Sequence, residues 1–347
     1  MCNRLIEPRC MNRFSRRRTI DHQMDPTPFA TVVVCTRNRS TLLRQACGSI
    51  LAIDPPRGGW ELLIVDNRST DDTLEVAESV RRLEPELVRV VEHATIGLSS
   101  ARNRGIAEAR GDIVAFIDDD AYPATQWLTV LVAALSEPDV LCAGGPVEPI
   151  FEGDLPDWFL GRYLPYLTVW DPGPEPLDLR YNEYPRGANM AFRRDAFAAF
   201  GDFNTRLGRT ADSLLSCEET ELCLRFERGG YRTVYVPAAR VRHTTPVDRL
   251  DPAWMERRFE AQGRSEAIVD WIHGGGRALL LGMAAHRRRA DEAARDLGEG
   301  GDLHLRCQRR AARGYLKGML TAPLTVPRYR PPGPDVTLAP WPAPDGC

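Results

Sequence analysis

Gly111-Asp112-Ile113-Val114-Ala115-Phe116-Ile117-Asp118-Asp119-Asp120 decides how the rest of the chain is read. Residues 113–117 form an unbroken apolar run rich in β-branched side chains, short enough for a strand buried on both faces. The run ends in three carboxylates. Three like charges at the mouth of a buried strand repel one another unless a cation neutralises them. Ligands of open α/β sheets bind at the carboxyl ends of strands. A hard divalent cation there bridges protein carboxylates to phosphate oxygens. Asp118, Asp119 and Asp120 therefore read as the seat of a metal–phosphate group. A solvated acidic turn is the plain alternative.

Upstream, residues 30–35, 61–65 and 88–91 read as three further strands. Helical patterns occupy 40–51, 69–83 and 101–110, the last closed by Gly111. Another helix is expected over 125–136. Strand and helix alternate for roughly 110 residues, which predicts a doubly wound, mainly parallel α/β sheet flanked by helices. No Gly-x-Gly-x-x-Gly follows the first strand and no Walker-type phosphate loop occurs. Any nucleotide must be held by acids and a metal rather than by a glycine cradle.

Residues 146–186 are rich in proline and aromatics, a long loop of the kind that carries function or is anchored by its own rings. A strand is expected over 186–193, a short helix over 195–200, a helix over 216–228 and closing strands over 233–237 and 240–243. Beyond residue 251 three helices are expected, over 254–272, 277–297 and 303–320, before a proline-rich irregular tail. The reading divides the chain into a basic leader (1–27), a catalytic domain (28–248), a C-terminal helical appendage (249–322) and the tail (323–347). Translation starting at Met24 is compatible with the leader's lack of apolar periodicity.

At 347 residues with a net charge of −3, nothing argues for nucleic acid as a partner. The nine cysteines show no Cys-x-x-Cys and no zinc spacing, so a reducing cytoplasm is the default expectation. No apolar run is long enough to span a bilayer, which takes about 18–20 residues. Leu279, Leu280, Leu281 and Met283 precede Arg287, Arg288 and Arg289, and Leu316, Met319 and Leu320 follow another arginine cluster. This pattern fits either peripheral contact with an anionic membrane surface or helices packed on the domain.

The motifs taken together resemble the family 2 glycosyltransferases of GT-A fold over roughly residues 29–245. The resemblance rests on six motifs in order. They are Val-Val-Cys-Thr-Arg-Asn-Arg, Leu-Ile-Val-Asp-Asn-Arg-Ser-Thr-Asp-Asp-Thr, Gly-Leu-Ser-Ser-Ala-Arg-Asn-Arg-Gly, Phe-Ile-Asp-Asp-Asp-Ala, Gly-Ala-Asn-Met-Ala-Phe-Arg-Arg and Glu-Glu-Thr-Glu-Leu. It implies an inverting transfer from a nucleotide-sugar, with a UDP-sugar favoured, to a glycan, lipid-linked or small-molecule acceptor. It implies Mg2+ or Mn2+ on Asp118 and Asp120, with Asp119 beside them on the nucleotide-sugar and His243 near the metal. Thr36 and Arg37 match the loop beneath the base, and Asp66 the acid that contacts base or ribose, although an Asx turn would also explain Asp66. Arg102 matches a residue near the nucleotide; a surface arginine is its alternative. Trp158 and Asn189 are assigned to the acceptor.

Glu218 and Glu219 fall where the family carries its Glu-Asp acid pair, with Glu219 at the position of the general base. Ser216-Cys217-Glu218-Glu219 also fits a capping box, in which Glu219 would close the helix N-terminus and Glu218 would be the base. Two other functions remain open at this level. A sugar-phosphate nucleotidyltransferase also joins an α/β nucleotide fold to metal-binding acids, but usually carries a glycine-rich loop where this chain has Thr36-Arg37-Asn38-Arg39. A non-catalytic nucleotide-sugar-binding module has no need of the acids at 218–219.

Overall fold

The computed structural model describes residues 29–295, 301–332 and 338. The leader, the proposed start at Met24 and most of the tail lie outside the described residues. β1 (Ala30–Thr36), α1 (Ser40–Ile50), β2 (Trp60–Asp66), α2 (Thr73–Leu83), β3 (Val88–Glu92), α3 (Leu98–Glu108) and β4 (Ile113–Ile117) alternate as the apolar runs predict. Then follow β5 (Ala121–Pro123), α4 (Trp127–Ala134), β6 (Val140–Gly144), β7 (Val147–Phe151), β8 (Leu177–Leu179) and β9 (Asn189–Arg193). α5 (Arg194–Phe200), α6 (Glu218–Arg228), β10 (Arg232–Tyr235), β11 (Val241–Thr245), α7 (Pro252–Arg295) and α8 (Gly301–Thr325) complete the chain.

The main sheet has the order β3-β2-β1-β4-β9-β6-β10-β8. β1, β2, β3 and β4 are mutually parallel where they pair, whereas β9 runs antiparallel to both β4 and β6. A small second sheet, β5-β11-β7, stands beyond the aspartates and brings His243 to them. Successive β1 side chains enter opposite cores, as the pleat requires. Val32 and Val34 join Leu43, Val76 and Trp127 on one face, and Val33 joins Ala101, Phe192 and Leu222 on the other. Ile268, Val269 and Ile272 of α7 and Ala322 of α8 lie in that second core. The C-terminal helices therefore bury part of the sheet face that carries α6.

Four local expectations change. Residues 69–72 form a turn rather than a first helical turn, because Asn38 Oδ1 accepts from Thr70 N at 2.7 Å and Asp71 Oδ1 from Thr73 N at 3.0 Å. α3 begins three residues early and ends at Glu108, with Ala109 already extended. Gly111 is not its cap; it is glycine because a Cβ would lie 2.5 Å from Thr31 N on β1. The break expected between two C-terminal helices is a single non-helical residue, Gly275 (φ 63°), inside α7. α8 continues to Thr325, and the segment after it is strapped to α7 by Trp271 Nε1 donating to Val326 O at 2.8 Å and Tyr329 N to Ile272 O at 3.0 Å.

Candidate active site

A cavity of about 1060 Å³ opens at the carboxyl ends of β1, β2 and β4, where the three aspartates, α6 and α7 meet. That volume is at the top of the range for drug-sized ligands and leaves room for two substrates.

The aspartates follow β4 directly. Donor atoms of Asp118, Asp120 and His243 lie within 4.8 Å of one another, a set able to hold a metal ion. His243 Nε2 is 3.1 Å from Asp120 Oδ1 and 3.9 Å from Asp118 Oδ2. Its other ring nitrogen is buried without a partner. Asp120 is almost wholly buried, yet its carboxyl is held well below the usual range, because His243 and Arg39 outweigh desolvation. Asp119 is also buried, accepts from Thr36 Oγ1 at 2.7 Å and from Arg39 at 3.3 Å, and is pushed up to about 7 chiefly by burial. The Arg39 guanidinium, bonded to both Asp119 and Asp120, offsets their charge. Arg39 lies two residues beyond the assigned Thr36-Arg37 pair in the same loop, and no local signal separates it from them.

Arg102 is not a surface arginine. It is 2% exposed and braces the two acidic groups of the site. Its Nη1 donates to Glu218 Oε1 at 2.6 Å and its Nη2 to Gly187 O at 3.1 Å and Asp118 Oδ1 at 3.5 Å. A Cβ at residue 187 would lie 2.6 Å from Nη2, so any other residue there would push the guanidinium out of this position. This explains the glycine of the Gly-Ala-Asn-Met motif. Arg37 also lines the cavity, but its Nη1 donates to the carbonyls of Asn67 and Arg68 at 2.8 and 2.6 Å and so ties the β1 loop to the β2 loop. Asp66 ends β2. One of its oxygens accepts from Ser69 N at 3.1 Å, as a turn-forming acid would, and the other is buried without a partner. Its neighbour Asn67 forms the cavity wall there.

The capping box does not form. The residue preceding α6 is Cys217 in the left-handed region (φ 70°), and no side chain caps the helix. Ser216 N is taken by Ser265 Oγ of α7 at 3.0 Å, and Ser216 Oγ donates to Gln262 Oε1 at 3.0 Å. Both groups that a capping box needs are thus occupied from another helix. Glu219 is left half-buried on the cavity wall with Oε2 unpartnered. Burial and the adjacent Glu218 push its carboxyl up to about 7, against the lowering effect of Arg102 and Arg186. Glu218 is buried and bonded to Arg102.

The two acceptor residues are corrected. Asn189 is fully buried at the centre of the sheet. It accepts from Trp127 Nε1 at 2.8 Å and donates to Pro146 O and Ala239 O at 3.0 and 2.7 Å, so its amide is spent on fold. Trp158 packs edge-on against Phe159 and Tyr163, away from the cavity, as an anchor of the aromatic loop. The loop contributes Tyr166 and Tyr181 to the wall instead, and Tyr166 stacks on Phe259 of α7 at 3.8 Å. Arg186, Arg209, Arg249 and Arg258, which no motif marked, are among the arginines that also line the cavity. Among the described residues none of the four has a carboxylate within ion-pairing distance.

Residues 31–201 match the model of a family described as "Glycosyl transferase family 2". The chain is 29% identical over 250 residues to the glucosyl-dolichyl phosphate glucuronosyltransferase of Haloferax volcanii, covering 70% of this chain and 78% of that protein. It is 27% identical over 256 residues to the succinoglycan biosynthesis protein ExoM of Rhizobium meliloti, covering 72% and 79%. In fold it is similar to the mannosyltransferase PcManGT of Pyrobaculum calidifontis, whose structure holds GDP-Man and Mn2+. The TM-score is 0.56 at 22% identity, over 85% of this chain and 88% of that one. The fold is GT-A.

Proposed function

The chain belongs to glycosyl transferase family 2, and from that premise we propose that it moves a sugar from a nucleoside-diphosphate sugar, a UDP-sugar by preference, to an acceptor hydroxyl with inversion at the anomeric carbon. The carrying observation is that one cavity holds a metal-competent Asp118–Asp120–His243 cluster and a carboxylate, Glu219, with a free oxygen, and that Arg102 ties Asp118 to Glu218, the residue before Glu219. Two carboxylates and an imidazole suit Mn2+ or Mg2+, the nitrogen favouring Mn2+. Such an ion would act as a Lewis acid towards the leaving diphosphate.

The protein's own groups do the rest. Arg209 and Arg249 line the wall near Asp118 and Asp120 and draw the donor's phosphates toward them. Thr36, Arg37 and Asp66 shape the nucleotide end, where the unpartnered Asp66 oxygen supports a contact to base or ribose. Glu219 Oε2 takes the proton of the acceptor hydroxyl. The acceptor oxygen forms its bond to the anomeric carbon as the bond to the diphosphate oxygen breaks, and that electron pair leaves with the nucleoside diphosphate. Glu218 stays bonded to Arg102 and holds the first turn of α6 in place.

Product analysis tests this reading. With a panel of nucleotide-sugars and Mn2+, nucleoside diphosphate is the expected product. Release of pyrophosphate would assign a nucleotidyltransferase, and ligand-induced thermal stabilisation without any release would assign a binding module.

We also propose contact with an anionic membrane surface through α8. No helix among the described residues is long and apolar enough to cross a membrane. Leu316, Leu320 and Leu324 recur every four residues on α8 and are 47%, 64% and 84% exposed. Arg309 and Arg313 extend the same row and are exposed, whereas Arg306, Arg310 and Lys317 are paired with Glu256 or Glu260 of α7. Apolar area flanked by unpaired cations is complementary to acidic headgroups. Co-sedimentation with phosphatidylglycerol vesicles should be salt-sensitive and should fall in Leu320→Glu. Absence of binding would leave the row without a membrane role.

A further inference from the structure

We propose that the cavity wall beside Glu219 is a second anion subsite, built on Arg258 and completed by Arg186, that takes a phosphate or carboxylate carried by the acceptor. The inference rests on the transferase reading for the word acceptor; the anion subsite itself rests on the two arginines.

Arg258 projects from α7 and is only 7% exposed. Its Nη2 donates to Ser216 Oγ at 3.3 Å, while its Nε and Nη1 are buried with no partner among the described residues. A buried guanidinium with two idle donors and no ion-pair partner among the described residues is costly, and an oxyanion accepted by that planar fork removes the cost. Arg186, in the loop before β9, also has an unpartnered Nε; its guanidinium lies over the Trp170 ring at 5.7 Å. Three other arginines of the wall are engaged, Arg39 with Asp119 and Asp120, Arg102 with Glu218 and Asp118, and Arg289 with Glu266.

Position separates this pair from the donor's diphosphate. Arg258 lies among Ser216, Cys217, Tyr166 and Glu219, on the α6 side of the cavity. Arg209 and Arg249 face the aspartates instead. A donor diphosphate arriving with a divalent cation brings little net charge and does not call for two more guanidiniums beyond those. An anionic acceptor does call for them, because Glu218 and Glu219 would otherwise repel it from the base that must reach its hydroxyl.

The full chain loaded with UDP and Mn2+ would be titrated by calorimetry with farnesyl phosphate, glucose 1-phosphate, glucuronate and neutral octyl glucoside. At least one anion should bind saturably and octyl glucoside should not. Arg258→Gln should weaken that binding at least tenfold, Arg258→Lys should recover part of it, and UDP–Mn2+ binding should be unchanged in both. Tighter binding of farnesyl phosphate assigns a lipid phosphate, of glucose 1-phosphate a free sugar phosphate, and of glucuronate a uronic acid. The preceding UDP–Mn2+ titration tests the donor reading by itself, and the anion titrations repeated without nucleotide still report on Arg258. If Arg258→Gln fails to fold, Arg186→Gln and Arg258→Lys carry the comparison. Failure of all three anions to bind the native chain, or native affinity in the variants, overturns the subsite.

Discussion

Glu219→Gln is expected to melt like the native chain, bind donor normally and lose transfer by about 10²–10⁴-fold, the usual cost of removing a positioned general base. The substitution keeps the size of the side chain and removes its ability to take a proton. Little stability is at stake, because Ser216 N is bonded to Ser265 Oγ and the side chain caps nothing. The pH profile adds a second signature. The charged groups acting on Glu219 are Glu218 on its own helix, Arg102 from α3 and Arg186 from the loop before β9, with Arg258 of α7 opposite. Cys217 and Cys142 are neighbouring thiols whose ionisation burial suppresses. Their balance with burial leaves the carboxyl at about 7. A base acts when deprotonated, so kcat/KM should rise with pH, about tenfold per unit below 7, and level off above it. Folding raises this group above its unfolded value. Its contribution to stability is thus fully present below the ordinary carboxylate range and is lost as pH rises through about 7. Near-normal transfer in Glu219→Gln, with Glu218→Gln dead, would transfer the role to Glu218.

Chelation should have an effect of the same order. EDTA is expected to abolish transfer, and added Mn2+ or Mg2+ to restore it. Asp120→Asn removes one carboxylate from the Asp118–Asp120–His243 set. It should raise the Mn2+ concentration for half-maximal transfer by more than about 100-fold, since even outer partners of metal ligands cost about 10–100-fold. The same variant leaves Arg39 with Asp119 as its remaining carboxylate. Nucleotide binding measured without metal should therefore change much less than binding measured with it. Full turnover by Asp120→Asn would put the ion elsewhere.

The strands β1, β2 and β4, the helices between them and the acids after β4 were legible in the chain, because each is a local pattern. A run of buried β-branched residues, an interval of helical period and charges at a strand's end need no partner to be recognised. The six ordered motifs carried the family, and with it Asp118, Asp120, His243 and Glu219 into one site. Local pattern misplaced what depends on partners. Asn189 sits in a motif, but its amide answers Trp127, Pro146 and Ala239, which come from three other segments. Ser216 and Glu219 have the spacing of a capping box, yet Ser265 and Gln262 of α7 claim the serine.

Arg102 shows the same division from the other side. Its motif matches a residue near the nucleotide, with a surface arginine as the alternative, and only the fold brings Glu218, 116 residues away, to its guanidinium. Arg258 has no motif at all, and it reaches the cavity because α7 packs against α6. The sequence by itself determined the alternation of strands and helices, the acids that follow β4 and the acid pair that opens α6, since strand ends and helix starts are set by near neighbours in the chain. The tertiary structure decided which charges are paired and which are left facing the cavity. A charge's partner is fixed by distance in space and by exclusion of water, and neither is encoded at fixed spacing along the chain.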